Sequence, residues 1–267
     1  MTGDLILNPM IQQLKKEIAE LKANLSVQIL ELDNIRLQEN KQLETEYMLT
    51  LGVLEYKIFE SQCLYLRLKR KAEMIQALKN RQRSVDISEI EKLLDEEFSA
   101  YRELLKEQTD KMNEALYRRN HGKELSSEDT QEIKRLYRLI VKALHPDLHP
   151  ELGQDKLRLF RSAIEAYKNG DLTAIRAIYE MTADSAVPER EENALEALLE
   201  EKERLQASLA KINKRIEEIK TEFPYNMKKL LSDEKLVRAK KVELQEKLDR
   251  FKLLVEEYQL KIEEMLG

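Results

Sequence analysis

The sequence predicts an all-α protein in which a short helical hairpin sits between long helical-hairpin and coiled-coil arms. Three observations predict it. Asp, Glu, Lys and Arg make up 36% of the 267 residues, while glycine and proline together number eleven. That balance suits long helices and is wrong for sheets joined by turns. Aromatic residues are 6% and tryptophan is absent, so the apolar content must lie in narrow helix seams and not in one large globular core. Finally, apolar residues recur at steps of three and four through most of the chain, the spacing of one helical face.

The totals also bound the function. The net charge of −5 gives no overall basic field to recruit nucleic acid. Cys63 is the single cysteine, so no disulfide framework exists and a reducing cytoplasm is expected. No apolar run approaches ~18 residues, so no membrane span is expected. Met1 to Pro9 lacks a basic segment followed by an apolar one, so it does not read as a secretory signal.

Asn8-Pro9 punctuates the start, and a helix should follow it. Ile11, Leu14, Ile18, Leu21, Leu25, Leu32 and Ile35 form a heptad seam with Gln28 as its polar interruption. The phase is lost between Gln38 and Gln42, and a turn at Asn40 or a stutter explains that equally well. The seam resumes through Leu43, Tyr47, Leu51, Leu54, Ile58, Tyr65, Leu68, Ala72 and Ile75. Within it, Leu66 to Lys71 is strongly basic. A solvated face opposite nearby glutamates is favoured there over contact with phosphate or lipid.

Ser84, Asp86 and Ser88 are all good N-caps, so a break is expected at 84–88. A helix over 88–119 should fold back antiparallel on its predecessor, because the connection is short. Its apolar positions are Ile90, Leu94, Phe98, Tyr101, Leu105, Met112 and Leu116, and Asn120 with Gly122 signals its end. Ser126, with Asp129 three residues on, approximates a capping box that opens the next helix. Pro146 stops that helix and pushes His145 out of the helical region. After a loop at 148–155, helix is expected over 156–168. Asn169-Gly170 ends it, and Asp171 caps a last short helix over 172–181.

Val187-Pro188 marks a boundary. Beyond it, Leu195, Leu198, Leu205, Leu209, Ile212, Ile216 and Ile219 alternate at three and four, with Lys202 in one seam position. Phe223-Pro224-Tyr225-Asn226 interrupts. A second seam follows through Val237, Leu244, Leu248, Phe251, Val255, Tyr258, Ile262 and Met265. An antiparallel hairpin of these two arms is favoured over a continuous kinked helix that makes a homodimer, because proline inside a helix costs roughly 3 kcal/mol. The expected organisation is therefore long coiled-coil helices over 1–87, a helical region over 88–185, and a C-terminal antiparallel coiled-coil hairpin over 186–267.

The chemistry-bearing stretch is Ile133 to Tyr167. His145-Pro146-Asp147 lies between two amphipathic helices. A catalytic reading lacks a nucleophile in motif context, and no G-x-S-x-G elbow is present. His145 and His149 are four apart, but Pro146 breaks the helix that would put them on one face, and no H-E-x-x-H or cysteine cluster accompanies them. No cofactor or metal and no enzymatic activity are expected. On the preceding helix, Ile133, Leu136, Ile140 and Leu144 make a core face. Lys134, Arg138 and Lys142 make a basic stripe on another, beside Tyr137. On the following helix, Phe160, Ala163, Ile164 and Tyr167 make the answering apolar face. Two antiparallel helices zipped along these faces present His-Pro-Asp at their tip.

This constellation resembles the J-domain, the DnaJ-like co-chaperone module. The family's second helix carries I-K-[KR]-x-Y-[RK], present here as Ile133 to Arg138, and its third carries F-x-x-[IA]-x-x-A-Y, present as Phe160 to Tyr167. The resemblance covers roughly 110–181, about a quarter of the chain. It implies docking on a DnaK-type heat-shock ATPase and stimulation of its hydrolysis. His145, Pro146 and Asp147 would be the stimulating tip. Lys134, Tyr137, Arg138 and Lys142 would be the docking face, and the coiled-coil arms would serve targeting or client binding. The family's short first helix is missing, so Met112 and Leu116 are expected to supply its packing. Lys142 stands three residues before His145, where the usual pattern has lysine two before. The Gly/Phe-rich linker and Cys-x-x-Cys repeats of full DnaJ proteins are absent, which corresponds to the divergent third class. The competing reading is a coiled-coil adaptor that keeps a J-like fold without ATPase coupling. Nucleic-acid binding through the basic helix is the third.

Overall fold

The computed structural model describes residues 2–121, 125–183 and 195–267. Among these every regular element is helical and no strand occurs. The expected boundary at Val187-Pro188 and the cap signal at Gly122 fall outside the described residues. The chain divides into two compact units, Met1–Gln42 with Lys123–Asn226 and Leu43–Gly122 with Met227–Gly267.

The first unit contains α1 (Thr2–Asn34), a π-helical segment (Ile35–Glu39) and the start of α2 (Asn40–Tyr47). It also contains α6 (Ser127–Leu144), α7 (Gln154–Lys168), α8 (Leu172–Ala183) and α9 (Leu195–Thr221). One apolar core joins them. Leu14, Ile18, Leu25, Ile29 and Ile35 of the N-terminal helix meet Leu198, Leu205, Ile212, Ile216 and Ile219 of α9, and both sets meet the inner faces of α6, α7 and α8. Ion pairs flank the seam at Glu17–Lys202 (2.7 Å), Lys22–Glu201 (2.7 Å) and Glu31–Lys220 (3.1 Å). Glu17 and Lys22 meet residues 201–202 while Glu31 meets Lys220 further along both helices, so α1 and α9 run parallel. Lys202 occupies its seam position by snorkelling its amine to Glu17.

The second unit contains α3 (Val53–Asn80), α4 (Ile87–Glu97), α5 (Ser99–His121), α10 (Lys228–Leu231) and α11 (Glu234–Leu266). Leu51 and Ile58 pack with Leu244 and Leu248, and Ala72 and Ile75 pack with Ile262. Tyr65 meets Tyr258 edge to face at 5.4 Å. This pair of long helices is also parallel. Asp86 caps α4 by accepting from the N–H groups of Ser88 and Glu89. The basic run at 66–71 is spent on α4. Arg67 pairs with Glu91 and Asp95, Arg70 with Glu97, and Lys71 with Glu91.

Four expectations change, and one open alternative is decided. The helix begins before Asn8-Pro9, and Pro9 lies inside it. The site is exposed, so water can satisfy the carbonyl that proline leaves without a donor. Of the two alternatives left open for the lost phase, the turn is excluded, because Asn40 is right-handed helical at φ −60°, ψ −38°, and a phase shift within a continuous helix is what forms. The lost phase is absorbed by the π-helical residues 35–39, since one inserted residue per turn rotates the face that follows. The helix expected over 88–119 breaks at Phe98 (φ −99°, ψ 11°), whose ring stacks on Tyr101 at 5.4 Å.

The antiparallel C-terminal hairpin does not form. α9 pairs with α1 in one unit and α11 with α3 in the other, so the three-segment division 1–87, 88–185 and 186–267 gives way to two interleaved units. A heptad seam demands a partner but does not name it. The N-terminal helix offers two successive seams, and each arm takes one. Finally, residues 110–122 belong to the second unit. Leu116 is 42% exposed there, and α1 and α9 cover the α6–α7 hairpin in place of Met112 and Leu116.

Candidate chaperone-docking site

The hairpin is built as its sequence pattern implies. The Ser126 hydroxyl accepts from the Asp129 N–H at 3.0 Å and starts α6, with Glu128 and Asp129 in its first turn where the helix dipole favours acid. Ile133, Leu136, Ile140 and Leu144 are buried, as are Phe160, Ala163 and Tyr167 across from them. Tyr137 lies against Tyr167, while His145 lies against Phe160, so α6 and α7 are antiparallel with residues 145–153 joining them. At the far end of α7 the backbone turns through Gly170 at φ 66°. Asp171 N–H reaches the Ala166 carbonyl, and a Cβ at Gly170 would come within 3.3 Å of Leu125. Glycine is needed there for both the sign of φ and the space.

His145 leaves the helix at φ −72°, ψ 128°, the extended region imposed by Pro146. Its ring stands edge-on to Phe160 at 5.2 Å and 79°. The Asp147 N–H donates to His145 Nδ1 at 3.0 Å, and the N–H groups of Leu148 and His149 both donate to the His145 carbonyl. Nδ1 accepts only when unprotonated, and burial of the ring holds the imidazole pKa below its usual value, with the nearby Asp147 opposing that shift. The histidine therefore works as a hydrogen-bonded corner post of the loop. His149 is turned away, with Nε2 at 2.8 Å from the Lys142 carbonyl. Among the described residues no three His, Cys, Asp or Glu side chains converge as a metal site.

The Asp147 carboxylate makes no hydrogen bond or ion pair with the described residues and is half-buried, while Pro146 is exposed. Lys134, Arg138 and Lys142 are exposed along one stripe of α6, and none forms an ion pair with a described residue. Arg135 is exposed beside them. The structure thus leaves three cations exposed along α6 and the tripeptide at the end of that helix.

Tyr137 does not join them. It is fully buried, stacked on Tyr167 at 4.1 Å and 8°, and its hydroxyl donates to Asp33 Oδ2 at 2.7 Å. Desolvation, with the adjacent Asp33 charge, pushes the phenol well above its ordinary pKa. The docking-face expectation fails at this residue because α1 covers the side of α6 on which Tyr137 lies. Asp33 itself is raised above the usual carboxylate range by burial, against the hydrogen bond from Tyr137 and the charge of Arg36.

Two further ties were not legible in advance. Gln38 donates to the Tyr167 carbonyl and Lys41 Nζ to the Lys168 carbonyl at 3.2 Å, so the π-helical segment and the turn after it cap the end of α7. At the other end, Arg204 of α9 donates from Nη1 to the Asp147 carbonyl at 2.6 Å. In the sequence Gln38 shows only as lost phase. Arg204 shows only as one more charge beside the seam residue Leu205.

No family model, curated protein or solved structure matches the chain. Among the described residues no helix is long and apolar enough to cross a membrane.

Proposed function

We propose that the chain is a J-domain-type co-chaperone that docks on a DnaK-type ATPase and stimulates its hydrolysis, doing no covalent chemistry itself. The observation that carries this reading is an Asp147 carboxylate without a bond to any described residue at the tip of an antiparallel hairpin whose first helix exposes Lys134, Arg138 and Lys142. A rigid basic helix suits an acidic chaperone surface and gives fast, salt-sensitive encounter more than raw affinity. Such transient contacts are small. Tyr137 takes no part in docking while it is stacked in the core, so the cationic stripe and the tripeptide carry the contact. The coiled helices serve to hold a client or adaptor, and the expected compartment is the cytoplasm.

The test is steady-state ATP hydrolysis by a DnaK-type chaperone with the full-length chain. The wild type raises the rate and His145→Gln abolishes the rise. Absence of both stimulation and binding by the wild type overturns the reading. A second reading, a coiled-coil adaptor without ATPase coupling, is favoured by the burial of Tyr137. It expects the chain's biological role to survive Asp147→Asn unchanged.

A further inference from the structure

The hydrogen bonds of the tip among the described hairpin residues are local. Asp147 N–H bonds to His145 Nδ1, two N–H groups bond to the His145 carbonyl, and His149 bonds back to Lys142. The tie from outside comes from Arg204, 57 residues further along the chain in α9. Its guanidinium donates to a neutral carbonyl, a charge-assisted bond of the stronger kind. Two neighbours fix its position. Leu205 is fully buried in the core shared by α1, α6, α7 and α9, so α9 cannot roll Arg204 away without withdrawing that side chain. Leu148, next to Asp147, is 4% exposed and is seated in the same core. The backbone of Asp147 is thus pinned on both sides while its carboxylate makes no bond with a described residue. A free functional group on a pinned backbone loses little freedom on docking, and that is what preorganisation means energetically.

We propose that α9 braces the His-Pro-Asp tip through Arg204, a positioning residue that sets how strongly a docked ATPase is stimulated and not how tightly it docks. The α1–α9 coil is then mechanically part of the site, and whatever binds that coil acts on the tip. The role in stimulation rests on the co-chaperone reading, but the brace itself does not.

The experiment uses the full-length chain with Arg204→Ala, Arg204→Met and Arg204→Lys. Methionine keeps the aliphatic stem and lysine keeps a donor, so packing and hydrogen bonding are separated. Amide exchange at Leu148 and His149 is expected to rise about tenfold in the Ala and Met variants and to return towards wild type in the Lys variant. In the ATPase assay, maximal stimulation falls in Ala and Met with the half-saturating concentration unchanged. Unchanged exchange at Leu148 and His149 in a folded Arg204→Ala overturns the brace. A shifted half-saturation with full maximal stimulation also overturns it, because Arg204 would then be part of the docking surface. If the wild type gives no stimulation, the co-chaperone reading fails and the exchange comparison alone decides the brace.

Discussion

The molecule contains two parallel helix pairs of the same kind, α1 with α9 and α3 with α11, and they use their flanks differently. In the α3–α11 unit the flanking charges go to other side chains, as with Arg67, Arg70 and Lys71 against the carboxylates of α4. In the α1–α9 unit several flanking polar groups go to the hairpin, and mostly to its backbone. Gln38 and Lys41 take carbonyls at the end of α7, Arg204 takes the carbonyl of Asp147, and Asp33 takes the hydroxyl of Tyr137. Exposed side-chain ion pairs contribute about 0–1 kcal/mol and tolerate exchange. Bonds to backbone carbonyls fix where a loop or helix end lies. The first coil is therefore a mount for the α6–α7 hairpin, while the second is a coil bearing a packed helical arm.

The largest effect that can test this contrast comes from the seams. Leu205→Ala and Leu248→Ala should each cost about 2–5 kcal/mol, because both side chains are buried and leave cavities. Denaturant titration reads that cost. Amide exchange separates the two: Leu205→Ala should loosen residues 145–149, and Leu248→Ala should leave them protected. Equal loosening by both would break the distinction between mount and arm.

Asp33 supplies an intermediate effect. Asp33→Leu leaves the buried Tyr137 hydroxyl without an acceptor and should cost about 1–3 kcal/mol. Asp33→Asn keeps an acceptor and removes a buried charge. Because burial raises the Asp33 pKa, the folded state holds a proton that the unfolded state releases above its ordinary pKa near 3.8. Stability from this group is thus present at acid pH and is lost as pH rises through the folded-state value. Asp33→Asn should be more stable than wild type at neutral pH, with the difference shrinking on acidification. A difference that grows towards low pH would show the carboxylate to be a net stabiliser there.

The smallest effect lies in the second unit. Gln82 sits at φ 56° just after α3, where the Arg83 N–H closes the helix onto the Leu78 carbonyl. A left-handed non-glycine residue is strained, so Gln82→Gly should stabilise by up to about 1 kcal/mol. Thermal melting checks the sign. The hairpin tip should be indifferent to it.

Much of this was readable from residue order. The apolar spacing marked the buried positions of α6, α7, α9 and α11, because burial on a helix follows its period. The caps at Ser126 and Asp171 were equally plain, since capping is a local bond, while Asp86 was one of three candidates with Ser84 and Ser88. What escaped was non-local. Gln28 was expected as the polar break of the first seam, yet Ile29 beside it is buried, because α1 packs against α9 and α6 and so buries a wider face than a two-helix seam requires. Ala115, not Leu116, is the buried residue near the end of α5. Tyr137 has the spacing of either face of α6, and only the arrival of Asp33 decides which it joins.

The sequence by itself determined the all-helical class, the two ends of α6, the hairpin and the tripeptide at its tip, because these follow from propensity, capping and periodicity within a few turns of chain. The tertiary structure alone decided which seam pairs with which, and hence what touches the tip. Two heptad arms and two stretches of N-terminal helix can be matched in several ways. In the structure α1 pairs with α9 and α3 with α11. That selection placed Asp33 over Tyr137 and Arg204 under Asp147, two contacts between residues more than fifty positions apart that no local pattern encodes.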